Sequence, residues 1–178
     1  MSGQLEIVHI TDNGKNIDGH KITNVKTKVS DVLDLYNKNK PLFIDFYANW
    51  CGHCKTLAPE WEKLITNIKK ENTDVALVSI EADALKKEED LIKMMKELNL
   101  EVSGFPTIGA VINKKFTSYE GERNAEAMLD YIKTKVLHKK QGGGGRKRSS
   151  KKSTRRTKKS TRRSRSKRSR KSKRSSKK

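Results

Sequence analysis

The sequence holds only two cysteines in 178 residues, has no acidic, apolar or aromatic residue beyond Gly145, and has no run approaching the roughly 18 apolar residues of a bilayer-spanning helix. Each scarcity excludes something. Two cysteines cannot frame a disulfide scaffold, so a fold must rest on an apolar core. The opening "MSGQLEIVHI" has neither the basic start nor the apolar stretch of about 7 to 15 residues of a secretory signal. A soluble, non-secretory protein is expected, resident in a virion, the cytoplasm or the nucleus, with no membrane partner. An Asn-, Lys- and Ile-rich body points further to an AT-rich genome such as that of a large cytoplasmic DNA virus.

The charge that is present is unevenly placed. Of 41 Lys and Arg, 20 fall in residues 146–178 beside 13 Ser and Thr, leaving 21 basic residues to balance 21 acidic ones upstream. The formal charge of +20 is therefore a property of the last segment alone. Three parts follow: a core-forming domain over 1–140, a Gly-rich linker over 141–145, and a disordered Lys/Arg/Ser/Thr-rich tail over 146–178 that has nothing from which to build a core.

Within the body, "LEIVHI" and "PLFIDFY" read as strands, the second apolar on both faces as a central strand is. Between them "SDVLDLYNKNK" reads as a helix with Ser30 as its N-cap and Val32, Leu33, Leu35 and Tyr36 on one face. "CKTLAPEWEKLITNIKKEN" carries Leu57, Trp61, Leu64, Ile65 and Ile68 at helical spacing, with Pro59 expected to kink the helix without ending it. "DVALVSIEA" is a buried strand and "EEDLIKMMKELNL" a helix. "PTIGAVIN" and "KFTSYEG" form a hairpin joined by Asn113-Lys114-Lys115, and "NAEAMLDYIKTKVL" is a closing amphipathic helix. The order β-α-β-α-β-α-β-β-α predicts an α/β fold with a mixed sheet and helices on both faces.

Both cysteines lie in "FIDFYANWCGHCK", just past a central strand and at the start of a helix, where catalytic and ligand groups collect in open α/β sheets. A thiol at a helix N-terminus feels unpaired N–H groups and the positive dipole end, which favours thiolate at Cys51. Cys54, one turn further in, can close a disulfide with it. Two other readings stand beside a redox pair. One is half of a zinc site, which would need two more ligands that His9, His20 and His138 do not supply at ligand spacing; the other is an inert buried pair.

The stretches "FIDFYANWCGHCKTLAPEW", "VSGFPTI" and "YEGER", in that order, resemble the thioredoxin superfamily, and within it the protein disulfide isomerase type of thioredoxin domain. The resemblance implies a thioredoxin fold and thiol–disulfide exchange on protein substrates, with no metal and no cofactor beyond a redox-active Cys51–Cys54 disulfide. It implies Cys51 as attacking thiolate, Cys54 as resolving thiol, Pro106 as a cis-proline facing them, Asp45 as the buried carboxylate that relays the proton of Cys54, Trp50 as an aromatic lid, and Arg123 as a cation near Cys54. Gly52 and His53 between the cysteines would set the direction, since a protonated His53 stabilises thiolate and makes the disulfide a stronger oxidant. The chain departs from the isomerase pattern in having Asp45 where Glu is usual and Asn49 where Pro is usual. Ser79 also stands where a lysine often pairs with the buried carboxylate.

The tail predicts nucleic-acid binding through phosphate contacts, by Arg146, Lys147, Arg148, Lys151, Lys152, Arg155, Arg156, Arg162, Arg163, Arg165 and their neighbours. With no aromatic residue to stack on bases, such binding would be blind to sequence. Its Ser and Thr residues suggest a charge switch, each phosphate adding about −1.5 to −2. A solubilising or nuclear-import segment is the plainer reading of the same composition. Two functions compete: an oxidoreductase tethered to nucleic acid or nucleoprotein, and a packaging or docking protein whose domain is only a scaffold.

Overall fold

The computed structural model describes residues 5–11 and 26–137. The linker and tail assignments, and His20 and His138, fall outside them. Five strands form one sheet in the order β1-β3-β2-β4-β5: β1 (Glu6–Ile10), β2 (Leu42–Tyr47), β3 (Ala76–Glu81), β4 (Thr107–Ile112) and β5 (Lys115–Ser118). β1, β3 and β2 run parallel, β4 is antiparallel to β2, and β5 returns antiparallel to β4. The sheet is mixed, as the strand and helix order requires. β2 and β3 are buried at every position, which is why both read as nearly unbroken apolar runs.

Helices cover both faces. On one, α1 (Val29–Asn37) and α4 (Glu89–Glu97) bring Val32, Leu35, Leu91 and Met94 onto Leu42, Ile44 and Phe46 of β2. On the other, α2 (Gly52–Glu71) and α5 (Ala125–Tyr131) pack Leu57, Trp61, Leu64 and Met128 around Phe43. α2 is a single helix with Pro59 inside it, as its uninterrupted apolar period predicts. Asn72 ends it in the left-handed region at φ 50°, where asparagine costs least after glycine. Among the described residues no helix is long and apolar enough to cross a membrane.

Four details differ from the sequence reading. α1 starts at Val29 after Lys28, so Ser30 lies inside the first turn and not at the N-cap; Val29 is drawn in because its side chain packs on the core. A six-residue helix, α3 (Ala82–Lys87), directly follows β3 and is too short to show a period. The hairpin turn is Asn113-Lys114 alone, both at positive φ, and Lys115 already pairs with Ile112; this is the two-residue turn that matches strand twist. α5 passes into a π-helical segment over Ile132–Leu137. Its start is fixed by Asn124, whose side chain accepts the Ala127 N–H at 2.8 Å.

Candidate active site

β2 runs through the centre of the sheet, and the chain turns sharply at its end, with the Cys51 N–H donating to the Ala48 carbonyl at 3.0 Å. That turn leaves Cys51 at the N-cap of α2 in extended backbone and Cys54 in the first helical turn. Both thiols are free. Cys51 is 8 % exposed and Cys54 2 %, so the outer sulfur keeps a small opening and the inner one has almost none. They pack with Tyr47, Ala48 and Ala82, and against Phe105.

Across from them lies the loop before β4. The Phe105–Pro106 peptide is cis, and the Cys51 Sγ donates to the Phe105 carbonyl at 3.4 Å. Pro106 is buried. A peptide carbonyl directed at a thiol marks where an extended chain carrying a sulfur would be held. Trp50 is 73 % exposed and stands edge-on to Phe105, ring centroids 5.9 Å apart. It forms an apolar rim beside Cys51, the sulfur that keeps a small opening.

The two sulfurs are electrostatically unlike. Burial raises the Cys51 thiol, but hydrogen bonds from Cys54 and the backbone N–H groups of Cys54 and His53, with the charge of Arg123, outweigh it and the net displacement is downward. Cys54 is pushed up to about 12, first by burial and then by its hydrogen bond to Cys51 and the charges of Cys51 and Asp45, against a backbone hydrogen bond at Ala48 that pulls it down. Thiolate therefore belongs to Cys51. His53 is exposed, and what it gives Cys51 in this structure is its backbone N–H. Gly52 is exposed too, with open space where a Cβ would stand.

Asp45 is 6 % exposed, its Oδ1 has no hydrogen-bond partner, and burial pushes its carboxyl up to about 7 against a smaller downward pull from Arg123. Proton exchange near neutral pH follows from that displacement. Arg123 is exposed and reaches both groups only through its field. Ser79 is the register partner of Asp45 on β3, so no cation occupies that adjacent position.

Sequence reasoning missed three neighbours. Tyr47 is buried beside both cysteines and its hydroxyl lies 2.6 Å from His9 Nε2; burial, then the charges of Glu81, Asp45 and Cys54, hold it protonated. Glu81 is buried at the end of β3 and accepts a hydrogen bond from the Asn49 side chain, which fastens the turn before Trp50 to the sheet. The signal was available: a histidine in "LEIVHI" and a glutamate in "VSIEA" interrupt buried strands, where a polar side chain needs a partner. Among the described residues no group of three or more His, Cys, Asp or Glu could hold a metal.

A mixed sheet with a Cys-x-x-Cys pair at the head of the helix after its central strand, facing a cis-proline, defines the class of thioredoxin-fold proteins. Comparison with known proteins agrees: the thioredoxin family model matches residues 22–134. The chain belongs to the thioredoxin family. It is 38 % identical over 106 residues to a protein disulfide-isomerase of Datisca glomerata, covering 58 % of this chain and 20 % of that protein. It is 35 % identical over 99 residues to a probable protein disulfide-isomerase A4 of Caenorhabditis elegans, covering 56 % of this chain and 15 % of the relative. The chain thus spans about a fifth or less of the length of these relatives. Its fold is like that of the first two thioredoxin domains of Naumovozyma dairenensis Eps1p, with a TM-score of 0.51 at 24 % identity over 66 % of this chain and 43 % of that one.

Proposed function

We propose that this chain exchanges thiols and disulfides in protein substrates through Cys51 and Cys54, and that residues 146–178 tether it to nucleic acid or nucleoprotein. The observation that carries the first half is the asymmetry of the pair: a slightly open sulfur displaced towards thiolate above a closed one displaced away from it. In the reducing direction the Cys51 thiolate attacks one sulfur of a substrate disulfide. A Cys51–substrate bond forms, the substrate S–S bond breaks, and the leaving thiolate takes a proton from water. Cys54 then gives its proton to the Asp45 carboxylate and attacks the Cys51 sulfur. The second substrate thiolate departs, and the substrate has gained two electrons while Cys51–Cys54 has become a disulfide. Run backwards, the same steps oxidise a substrate dithiol. Pro106 and the Phe105 carbonyl hold the substrate chain, Trp50 rims it, and no cofactor enters beyond the cysteine pair.

The Gly52-His53 pair supports an oxidising poise, near about −180 mV as in disulfide isomerases and not about −270 mV as in thioredoxin. The tethering rests on composition: 20 basic residues in 33 with no acidic one among them. Fully extended they reach on the order of 110 Å, and neutralising six to ten phosphates would cost roughly three to five decades of affinity between 50 and 200 mM salt. One experiment tests both halves: glutathione titration of the full chain, with and without saturating duplex DNA, alongside DNA affinity at rising salt. A potential near the isomerase value and a steep salt slope are expected. A potential at or below the thioredoxin value overturns the oxidising assignment, and salt-insensitive or absent binding overturns the tether.

A further inference from the structure

β2 and β3 pair in parallel as far as Tyr47 and Glu81, where the backbone ladder ends and the chain turns toward Cys51. Ala48, Asn49 and Trp50 lie beyond the ladder, yet their course sets where the Cys51 sulfur stands. One backbone hydrogen bond closes the turn, from the Cys51 N–H to the Ala48 carbonyl at 3.0 Å. A second tie is made by side chains: Asn49 Nδ2 donates to Glu81 Oε1. Asn49 Oδ1 is buried without a hydrogen-bond partner, so the amide is held through its nitrogen. Turning the amide over would set its oxygen against a carboxylate, which fixes the orientation. Glu81 is itself only 5 % exposed, a costly site for a carboxylate unless its position matters. A proline at position 49, as in the isomerase pattern, would restrain the backbone by its ring alone; asparagine has no such restraint.

We propose that Glu81 and Asn49 are positioning residues for the nucleophile: their bond holds the 48–51 turn so that the Cys51 sulfur faces the N–H groups at the head of α2. The inference rests on the proposed exchange reaction, in which Cys51 attacks first. Against burial, which raises the Cys51 thiol, the groups that lower it are the Cys54 thiol, the backbone N–H groups of Cys54 and His53, and the charge of Arg123. All but the last are hydrogen bonds, which weaken steeply as distance and angle depart from the ideal. A turn set loose would lose them, while the field of Arg123 would hardly change. Any field of Glu81 at the thiols acts the other way, since an anion opposes ionisation there as it does, after burial, at Tyr47. The bond that Glu81 makes and the charge that it carries therefore predict opposite effects of removing it.

The test is the pH dependence of iodoacetamide alkylation in the reduced full-length chain, wild type against Asn49→Ala, Glu81→Ala, Glu81→Gln and the double alanine variant. Cys54, enclosed and pushed up to about 12, stays silent below about pH 10, so the midpoint reports Cys51. Asn49→Ala and Glu81→Ala are each expected to raise that midpoint by about one pH unit, and the double variant by no more than the larger single shift. Other contacts of Glu81 do not confuse the comparison, because they are lost equally with and without Asn49. Glu81→Gln keeps an oxygen for Asn49 Nδ2 while removing the charge, and is expected to leave the midpoint at or below the wild-type value. A midpoint unmoved or lowered by Asn49→Ala, single shifts that add, or a Glu81→Gln shift as large as that of Glu81→Ala overturns the proposal. Should Glu81→Ala fail to fold, Asn49→Ala and Glu81→Gln decide between them. Alkylation needs no turnover: if the wild-type dithiol fails to equilibrate with glutathione, the proposed activity falls while the midpoint still judges the turn.

Discussion

The central strand β2 shows unlike faces to its two layers of helices. Leu42, Ile44 and Phe46 join the apolar cluster beneath α1 and α4, while Phe43, Asp45 and Tyr47 point to α2 and α5 and change from apolar to polar along the strand. The polar groups gather at one end of one face: His9, Ser79, Asp45, Tyr47 and Glu81 all lie at the carboxyl ends of the parallel strands. One face holds the fold together throughout. The other does so only up to Phe43 and Leu77, and beyond them gives up apolar burial for polar and titratable groups.

Moving polarity to the wrong face would break that contrast most severely. Ile44→Asp places a carboxylate where α1 and α4 offer it no partner, one residue from where Asp45 is tolerated. A loss of more than about 5 kcal/mol is expected in urea unfolding, enough to leave little folded protein. Survival of a cooperative, near-normal transition would show that the two faces are equally permissive.

Removing polarity from the functional face has the opposite sign. The Asp45 carboxyl is raised to about 7 in the folded chain, from an ordinary value near 3.8. The folded state therefore binds more protons than the unfolded one between those values, and Asp45 costs stability increasingly as pH rises from about 4 to 7. Asp45→Asn removes this dependence. Relative to wild type it is expected to gain on the order of 4 kcal/mol between pH 4 and pH 8, while its Cys54 attacks a mixed disulfide more slowly. Parallel stability curves for the two proteins across that range would refute the buried, uncompensated carboxylate.

The smallest effect sharpens the edge of the site. Arg123 is exposed, so solvent screens its pull on Cys51. Arg123→Gln is expected to raise the apparent pKa of Cys51 by less than about half a unit, read from the pH dependence of iodoacetamide alkylation. A shift of more than about one unit would mean that the guanidinium closes onto the thiols in solution.

Much of this was legible in the sequence because it is written in periods and spacings. β2 and β3 announce themselves as unbroken apolar runs, α2 keeps its period across Pro59, and the alignment of "VSGFPTI" marks Pro106. What escaped depends on register. That Asp45, Ser79 and His9 fall in one line is settled only when three strands far apart in the chain pair, and nothing within any one strand reports it. The short α3 and the start of α1 at Val29 were missed because a single turn has no period and because packing outweighed the capping preference of Ser30. The engagement of Glu81 by Asn49 spans 32 residues and has no local signature.

The near-complete enclosure of Cys54 also decides how the site would meet damage. A small oxidant arriving from solvent encounters Cys51, displaced towards the reactive thiolate, and converts it to a sulfenic acid. The protected thiol of Cys54 then condenses with that sulfur, water leaves, and the ordinary disulfide of the exchange cycle results. Further oxidation to sulfinic acid, which thiols do not reverse, must compete with a partner already held one helical turn away. A sulfur closed to the solvent thus returns its neighbour to service after an oxidative hit.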